Sequence, residues 1–196
     1  MSEVYQKDGR TYDRVTTVLA SYIELGLVEW KMEVGRVAAG RISSKSLKDG
    51  KRVDELVMSD ISKGDYKLRK SDNPEVVSCM KGWELFKKEK GDLRAISTQV
   101  TCYDDTFGTA GTYDIEYPDT LCDLKAGKRI NKKYWLQVAW YNHISKLDKP
   151  FLSILRLDPF WGTYQYLRRP MNPAYLRVFQ GVLEAMRYFN HEGDIE

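Results

Sequence analysis

Apolar residues recur at two different periods along this chain, and the change of period divides it. Up to residue 91 the spacing is helical. A helix is expected in YDRVTTVLASYIEL with Thr16 or Thr17 at its cap, and in VEWKMEVGRVAAGRISSK the residues Trp30, Val34, Val37 and Ala38 fall on one helical face. Asp49 and Gly50 open another expected helix, DGKRVDELVMSDIS. GDYKLRKSDNP is a polar connection, and Pro74 suits the first turn of PEVVSCMKGWELFKKEK, which Gly91 ends. From residue 93 the runs are short and rich in Thr, Tyr, Val and Ile: LRAISTQVTCYD, GTAGTYDIEY and TLCDLKAG read as an antiparallel meander. NKKYWLQVAWYNHISK returns to helical spacing with Asn131 as its cap, two strand-like runs follow (FLSILRLD and GTYQYLRR), and a last helix closes the chain.

The resulting order is helices, three strands, a helix, two strands, a helix. This predicts an α/β fold with a mixed central sheet flanked by helices, as a single domain over 1–196. It divides into a helical part over about 12–90, a sheet core over about 93–170 and a C-terminal helix over about 173–190. A chain of 196 residues buries roughly two thirds of its unfolded surface. With 42% hydrophobic and 30% charged residues, and no apolar run near the roughly 20 residues a spanning helix needs, no membrane segment is expected. MSEVYQKDGR lacks the apolar stretch of a secretory signal. Cys79, Cys102 and Cys122 are odd in number and scattered, which points to reduced thiols in the cytoplasm rather than a disulfide frame or a zinc knuckle. A net charge of +3 says little by itself about a polyanionic partner.

The candidate chemistry lies in GTYDIEYPDTLCDLKAGK, residues 111 to 128. Asp-x-Lys alone carries little, since Glu29 to Lys31, Asp49 to Lys51 and Asp65 to Lys67 share the pattern. Only Asp123 and Lys125 fall in an expected strand, where the period of two puts both on one face with Leu124 turned to the core. If Pro118 and Asp119 form a two-residue turn, Asp114 stands opposite Asp123. Like charges so opposed repel by about 4 kcal/mol at ~4 Å and an effective dielectric of ~20, which invites a hard, oxygen-seeking cation such as Mg²⁺ or Mn²⁺. The alternative is a solvated surface ladder of Asp114, Glu116, Asp123 and Lys125 paired with neighbouring lysines.

Together GTAGTYD, LCDLKAGK and YWLQVAWY resemble the RecB-like branch of the PD-(D/E)XK nuclease superfamily, which includes phage and viral exonucleases. They carry Gly-x-x-Asp, Asp-x-Lys and Gln-x-x-x-Tyr in that order. YDRVTTVL is similar to the Val-Thr-Thr segment of phage and mitochondrial relatives, and GKRVDELV to the family's Gly-x-x-x-His helix, so the likeness spans roughly residues 12 to 145. It implies a restriction-endonuclease-like core and a divalent-metal-dependent DNA nuclease, an exonuclease or a recombination and repair processing enzyme. Asp114 and Asp123 would be Mg²⁺ or Mn²⁺ ligands, with the Leu124 carbonyl a third, and Lys125 would orient or activate the attacking water. Gln137 and Tyr141, four apart and so on one helical face, would border the site; otherwise they are a polar edge of an amphipathic helix. Such a family allows a homo-oligomer, and its iron-sulfur members use four cysteines where this chain has three.

Two positions depart from the pattern. Gln99 stands where relatives carry a metal-binding Glu, and Asp54 where they carry a His. One expectation is that Asp54 restores the third carboxylate from the helix. The other is that Asp54 is merely solvated and the chain is a catalytically weakened nucleic-acid-binding protein on the same fold. From Lys125 onward Lys128, Arg129, Lys132 and Lys133 follow without an acid and are expected to meet DNA, each neutralised duplex phosphate adding about 0.9 to the salt slope. Arg168 and Arg169 form a lesser patch. Trp135, Trp140, Tyr164 and Tyr166 could stack on exposed bases, but their spacing is that of core residues; His143 reads as a surface or substrate-edge residue, and no phosphate-binding or dinucleotide glycine fingerprint calls for a nucleotide cofactor.

Overall fold

A computed structural model describes residues 4–21, 31–91 and 93–191. The chain opens with a hairpin that its polar composition hid: β1 (Tyr5–Lys7) and β2 (Arg10–Arg14) pair antiparallel around Asp8 and Gly9. Both turn residues have positive φ, 51° and 75°, the backbone twist a two-residue hairpin requires and Asp-Gly supplies. Helix α1 (Val15–Ser21) follows β2 without a break, so Thr16 and Thr17 lie inside its first turn and neither caps it.

Helix α2 (Arg36–Lys63) is one helix of 28 residues where two were expected. Asp49 and Gly50 do not open a helix but lie within it; Asp49 instead accepts a hydrogen bond at 2.6 Å from the side-chain amide of Asn73. Packing overrides the local signal: Val53, Leu56 and Val57 bury one stripe of α2, which outweighs the ~1 kcal/mol an interior glycine costs. The expected apolar face further upstream is not a core face. Val37 and Ala38 are exposed, Ala39 is the buried residue, and Trp30 lies outside the described residues. After the polar connection, α3 (Pro74–Lys90) begins with Pro74 and ends before Gly91, as the sequence indicates.

Seven strands form one sheet, two more than expected because of the opening hairpin. The meander is β3 (Ser97–Asp104), β4 (Thr109–Glu116) and β5 (Thr120–Ala126). Helix α4 (Lys133–Ile144) then crosses over, so β6 (Phe151–Leu157) runs parallel to β5. β7 (Tyr164–Pro170) returns antiparallel to β6, and α5 (Pro173–His191) ends the fold. β2 joins β4 in parallel through Asp13 opposite Thr109 and Arg14 opposite Ala110. Apolar residues bury both faces. On one, α1, α4 and α5 pack Val18, Trp140, Phe179 and Leu183 against Leu152 and Ile154; on the other, α2 and α3 pack Val57, Met80 and Phe86 against Ile115, Leu155 and Leu157. Trp135 and Trp140 are core residues, the latter stacked on Phe179 at 4.2 Å. Among the described residues no helix is long and apolar enough to cross a membrane.

Candidate active site

The site grows from an interruption in β4. β3 lies along one edge of this strand, from Asp104 opposite Thr109 to Ser97 opposite Glu116, with the pairing interrupted at Gln99 and Asp114. The other edge is shared: β2 takes Thr109 and Ala110, β5 takes Ile115 and Glu116, and Gly111 to Asp114 carry no strand there. Pro118 and Asp119 do form the two-residue turn, since Tyr117 and Thr120 exchange main-chain hydrogen bonds of 2.8 and 3.4 Å. The register then pairs Ile115 with Cys122, which continues to Asp114 opposite Asp123. The ladder stops just before that pair.

The strand also changes face at this point. Gly111 lies against the Tyr141 ring and Tyr113 packs in the cluster under α4, whereas Ile115 and Tyr117 pack on the α2–α3 side. Strict alternation would keep these four positions on one face, so β4 twists over at Asp114. Directly across in β3 is Gln99, with φ at 53°. Local irregularity of this kind re-aims a side chain out of a regular ladder. The carboxylate of Asp114 takes the place of the missing main-chain acceptor: Leu124 N–H donates to its Oδ2 at 2.8 Å. Leu124 thus meets the site through its N–H in addition to whatever its carbonyl offers.

Asp123 is 1% exposed, and Lys125 Nζ lies 2.8 Å from its Oδ1 and 2.7 Å from its Oδ2. Donor geometry is met only at Oδ1, which leaves Oδ2 a buried oxygen without a hydrogen bond. The Asp114 and Asp123 carboxyl groups are within hydrogen-bonding reach of each other, and both are pushed above the ordinary carboxylate range, first by burial. Lys125 opposes that rise in each case. Burial works against the charge of Lys125, but the two aspartates more than offset it, so its ammonium is held protonated. Glu116, by contrast, is tied to Lys149 at 2.7 Å and to Ser97 at 2.6 Å. These acids are therefore not rungs of a solvated ladder.

Asp54 approaches from α2. Its carboxyl is pushed up to about 8, first by burial and then by the charges of Asp114 and Asp123, with Lys125 pulling the other way. Asp54 is thus no freely solvated helix residue; it shares the electrostatic field of the hairpin acids. Gln99 is exposed on its twisted strand. From α4, Gln137 donates to the Tyr141 hydroxyl at 3.2 Å. Both are buried, because α4 is covered on nearly every side, so they are not the polar edge of an amphipathic helix. Burial raises the Tyr141 hydroxyl above its usual range, and the charge of Asp123 adds to this. The basic run lies on the connection between β5 and α4: Lys128, Arg129 and Lys132 are exposed and Lys133 is half-buried. Arg168 is engaged with Asp119 and the Phe151 ring, and Arg169 lies over Trp135.

Three features escaped the sequence reading. Tyr134 places its ring 5.1 Å from Lys125 Nζ; its position in the first turn of the helix bearing Gln137 was the available cue. Gly111 leaves the space that Tyr141 fills, since a Cβ there would lie 2.3 Å from the ring. Phe160 and Trp161 stand exposed in the turn before β7, and two large aromatics between Pro159 and Gly162 are poor core candidates on sequence alone.

The donor set suits a hard divalent cation. Two carboxylates face each other, one with an unsatisfied buried oxygen, and a single lysine offsets one of their two charges. Among the described residues no group of three or more His, Cys, Asp or Glu side chains is placed to hold a metal ion. The fit therefore rests on the two facing carboxylates alone, and one or two carboxylates are the usual protein share of an Mg²⁺ shell.

Fold and geometry together define an α/β protein with the mixed, helix-flanked sheet of nuclease-like structures. A protein from Eubacterium rectale, provisionally assigned as an exonuclease, matches with a TM-score of 0.53 at 16% identity, over 77% of this chain and 69% of its own. The alkaline exonuclease LHK-Exo of Laribacter hongkongensis aligns over 93% of both chains with a TM-score of 0.45 at 12% identity. At 16% identity the likeness to the Eubacterium rectale protein is one of fold. No protein-family model and no curated protein matches the chain.

Proposed function

We propose that this chain is a divalent-metal-dependent DNA nuclease of the RecB-like PD-(D/E)XK type, acting as an exonuclease or as a processing nuclease in recombination or repair. The observation that carries the proposal is the mutually facing pair of half-buried Asp114 and buried Asp123, with Lys125 paired to Asp123, at a break in the sheet. A bound Mg²⁺ or Mn²⁺ would neutralise phosphate charge and lower the pKa of water there. Asp114 and Asp123 would hold it, with Asp54 and the Leu124 carbonyl as further oxygen donors.

The chain's own groups divide the remaining work. Leu124 N–H fixes the Asp114 carboxylate and Lys125 fixes that of Asp123, so both are oriented before any ion arrives. Lys125 would act as a cation rather than a base, because the two acids favour its protonated form, and would stabilise negative charge growing on a phosphate under attack. Gln137 would hold the Tyr141 hydroxyl, which lies within the electrostatic reach of Asp123. The exposed Lys128, Arg129 and Lys132 would meet the phosphate backbone.

The test is degradation of linear and circular DNA, and of RNA, in Mg²⁺, Mn²⁺ or EDTA, by the wild type, Asp123→Ala and Lys125→Ala. Cleavage of DNA that needs the metal and is lost in both variants supports the proposal; cleavage that survives both substitutions refutes it. A second reading, a nucleic-acid-binding protein with a weakened site, draws on the exposed Gln99 at the position of the family's metal-binding acid. It predicts DNA binding without metal-dependent cleavage in the same assay.

A further inference from the structure

The turn between β6 and β7 holds two aromatic side chains out in solvent beside the candidate site. Phe160 is 55% exposed and Trp161 80%. The turn is braced from inside. Asp158 Oδ1 accepts the N–H groups of Phe160 and Trp161 at 2.9 and 3.0 Å, and Arg156 donates to Asp158 Oδ2 at 2.8 Å and to the Gly127 carbonyl at 3.1 Å. It is also braced from beneath. Ser78 Oγ on α3 donates to the Asp158 carbonyl at 3.2 Å, and Gly82 is where the Thr163 carbonyl comes so near that a Cβ would lie 2.4 Å from it. Arg156 thereby ties the aromatic turn to the loop that carries the basic run.

A groove of ≈ 960 Å³ runs between α2, the start of α3, the connection after β5 and this turn. Its two walls differ. On the helical wall the acids are engaged, Asp49 by Asn73 and Glu75 by Lys45. The sheet-side wall carries Lys128, Lys133, Tyr134 and Phe160 and no acid, with the Lys128 ammonium 4.9 Å from the Phe160 ring. Tyr134 belongs both to this wall and to the site, because its ring also lies 5.1 Å from Lys125 Nζ. The groove therefore reaches the carboxylate pair through Tyr134 and Lys125. A cationic wall with an aromatic rim fits a chain of phosphates bearing unstacked bases. A base-paired end offers an indole only the outer face of its terminal pair, whereas an unpaired strand can offer any of its bases.

We propose that this groove and the Phe160–Trp161 turn bind the unpaired strand of a nucleic-acid end, with its phosphates along Lys128 and Lys133 and a base stacked on Trp161. This deepens the nuclease reading and rests on it. The experiment measures binding of a fluorescein-labelled single strand and of a blunt-ended hairpin duplex in EDTA, where cleavage does not interfere. Trp161→Ala should weaken single-strand binding about 5- to 100-fold, the loss of one base stack, and change hairpin binding by less than about twofold. Trp161→Phe should restore it to within about threefold, since a ring face remains. Lys128→Ala should lower the single-strand salt slope by about 0.7, which Trp161→Ala leaves unchanged. Wild-type affinity of Trp161→Ala for the single strand, or an equal loss on both ligands, overturns the stacking platform, and metal-dependent cleavage by the same preparation would leave the nuclease reading standing. A wild-type protein that binds neither ligand and cleaves no DNA overturns both.

Discussion

Gly111→Ala probes the coupling between the two motif segments that meet at the site. An alanine Cβ at position 111 would lie 2.3 Å from Tyr141 Cε1 and 3.2 Å from Cδ1 and Cζ. Carbon atoms rest at about 3.5–4.0 Å, so the ring or the strand must retreat by more than about 1 Å. Neither has room: Tyr141 is 4% exposed, and the helix that carries it is wedged between the sheet and α5. Overpacking of this kind costs about 1–3 kcal/mol, which for a chain of this length lowers Tm by about 2–12 °C. The double variant Gly111→Ala/Tyr141→Ala isolates the contact. Tyr141→Ala alone should cost about 3–5 kcal/mol, and adding Gly111→Ala to it should cost almost nothing more, giving a coupling of about 1–3 kcal/mol. Thermal and urea unfolding of the four proteins completes the cycle. Strict additivity, or a Gly111→Ala protein that melts within about 1 °C of the wild type, would show that the glycine is not there to admit the tyrosine.

Other expectations follow from the charges. In EDTA, Asp123→Asn should melt higher than the wild type, since it removes one of two facing acids whose charge burial already disfavours, and Mg²⁺ should no longer raise its Tm; wild-type Tm should rise with Mg²⁺ by the equivalent of about 2.7 kcal/mol at a hundredfold excess over Kd. Lys125→Ala should abolish cleavage and destabilise the metal-free protein by about 3–5 kcal/mol, because it leaves buried carboxylates without their cation, and added Mg²⁺ should recover part of that loss in a melting scan. Metal-free stability should fall as pH rises from about 4 to 8. Asp54 releases its proton near 8 when folded and at about 3.9 when unfolded, so across that window the folded chain holds the extra proton and each step up in pH disfavours it. Urea titrations in EDTA should show that Asp54→Asn flattens the slope; an unchanged slope would remove Asp54 from the site's field.

How much of this was legible in the sequence depended on whether the signal was local. The register of the hairpin was, because a two-residue turn at Pro118 and Asp119 admits one pairing and the structure has it. The core helices were, because Trp135, Val138 and Tyr141 or Val76, Met80 and Trp83 repeat at the helical period. β1 and β2 were not, since YQK and RTYDR are too short and too polar to alternate, although Asp8-Gly9 announces their turn. Asp49 and Gly50 misled for the opposite reason: a cap-like pair was absorbed into a long helix whose stability comes from packing on α3 and the sheet. The nearness of Asp54 to Asp114 joins residues sixty positions apart, and nothing short of the folded backbone reveals it.

The break in β4 ties these observations together. A regular ladder through Asp114 and Asp123 would satisfy Leu124 N–H with a main-chain carbonyl and leave two carboxylates opposed with freedom to swing apart. Because the strand turns over at Asp114, the N–H is instead met by the Asp114 side chain, and that bond pins one carboxylate toward the other. Lys125 pins the second. The sheet thus holds two like charges together by its own hydrogen bonding, at the expense of a stretch of unpaired edge between Ala110 and Ile115. Gly111 belongs to that same unpaired stretch, and its missing side chain is what lets Tyr141 lie against it. The glycine, the two aspartates, the lysine and the tyrosine are consequences of one irregularity, so a substitution that restored regular pairing along Gly111 to Asp114 would dismantle the site without touching a carboxylate.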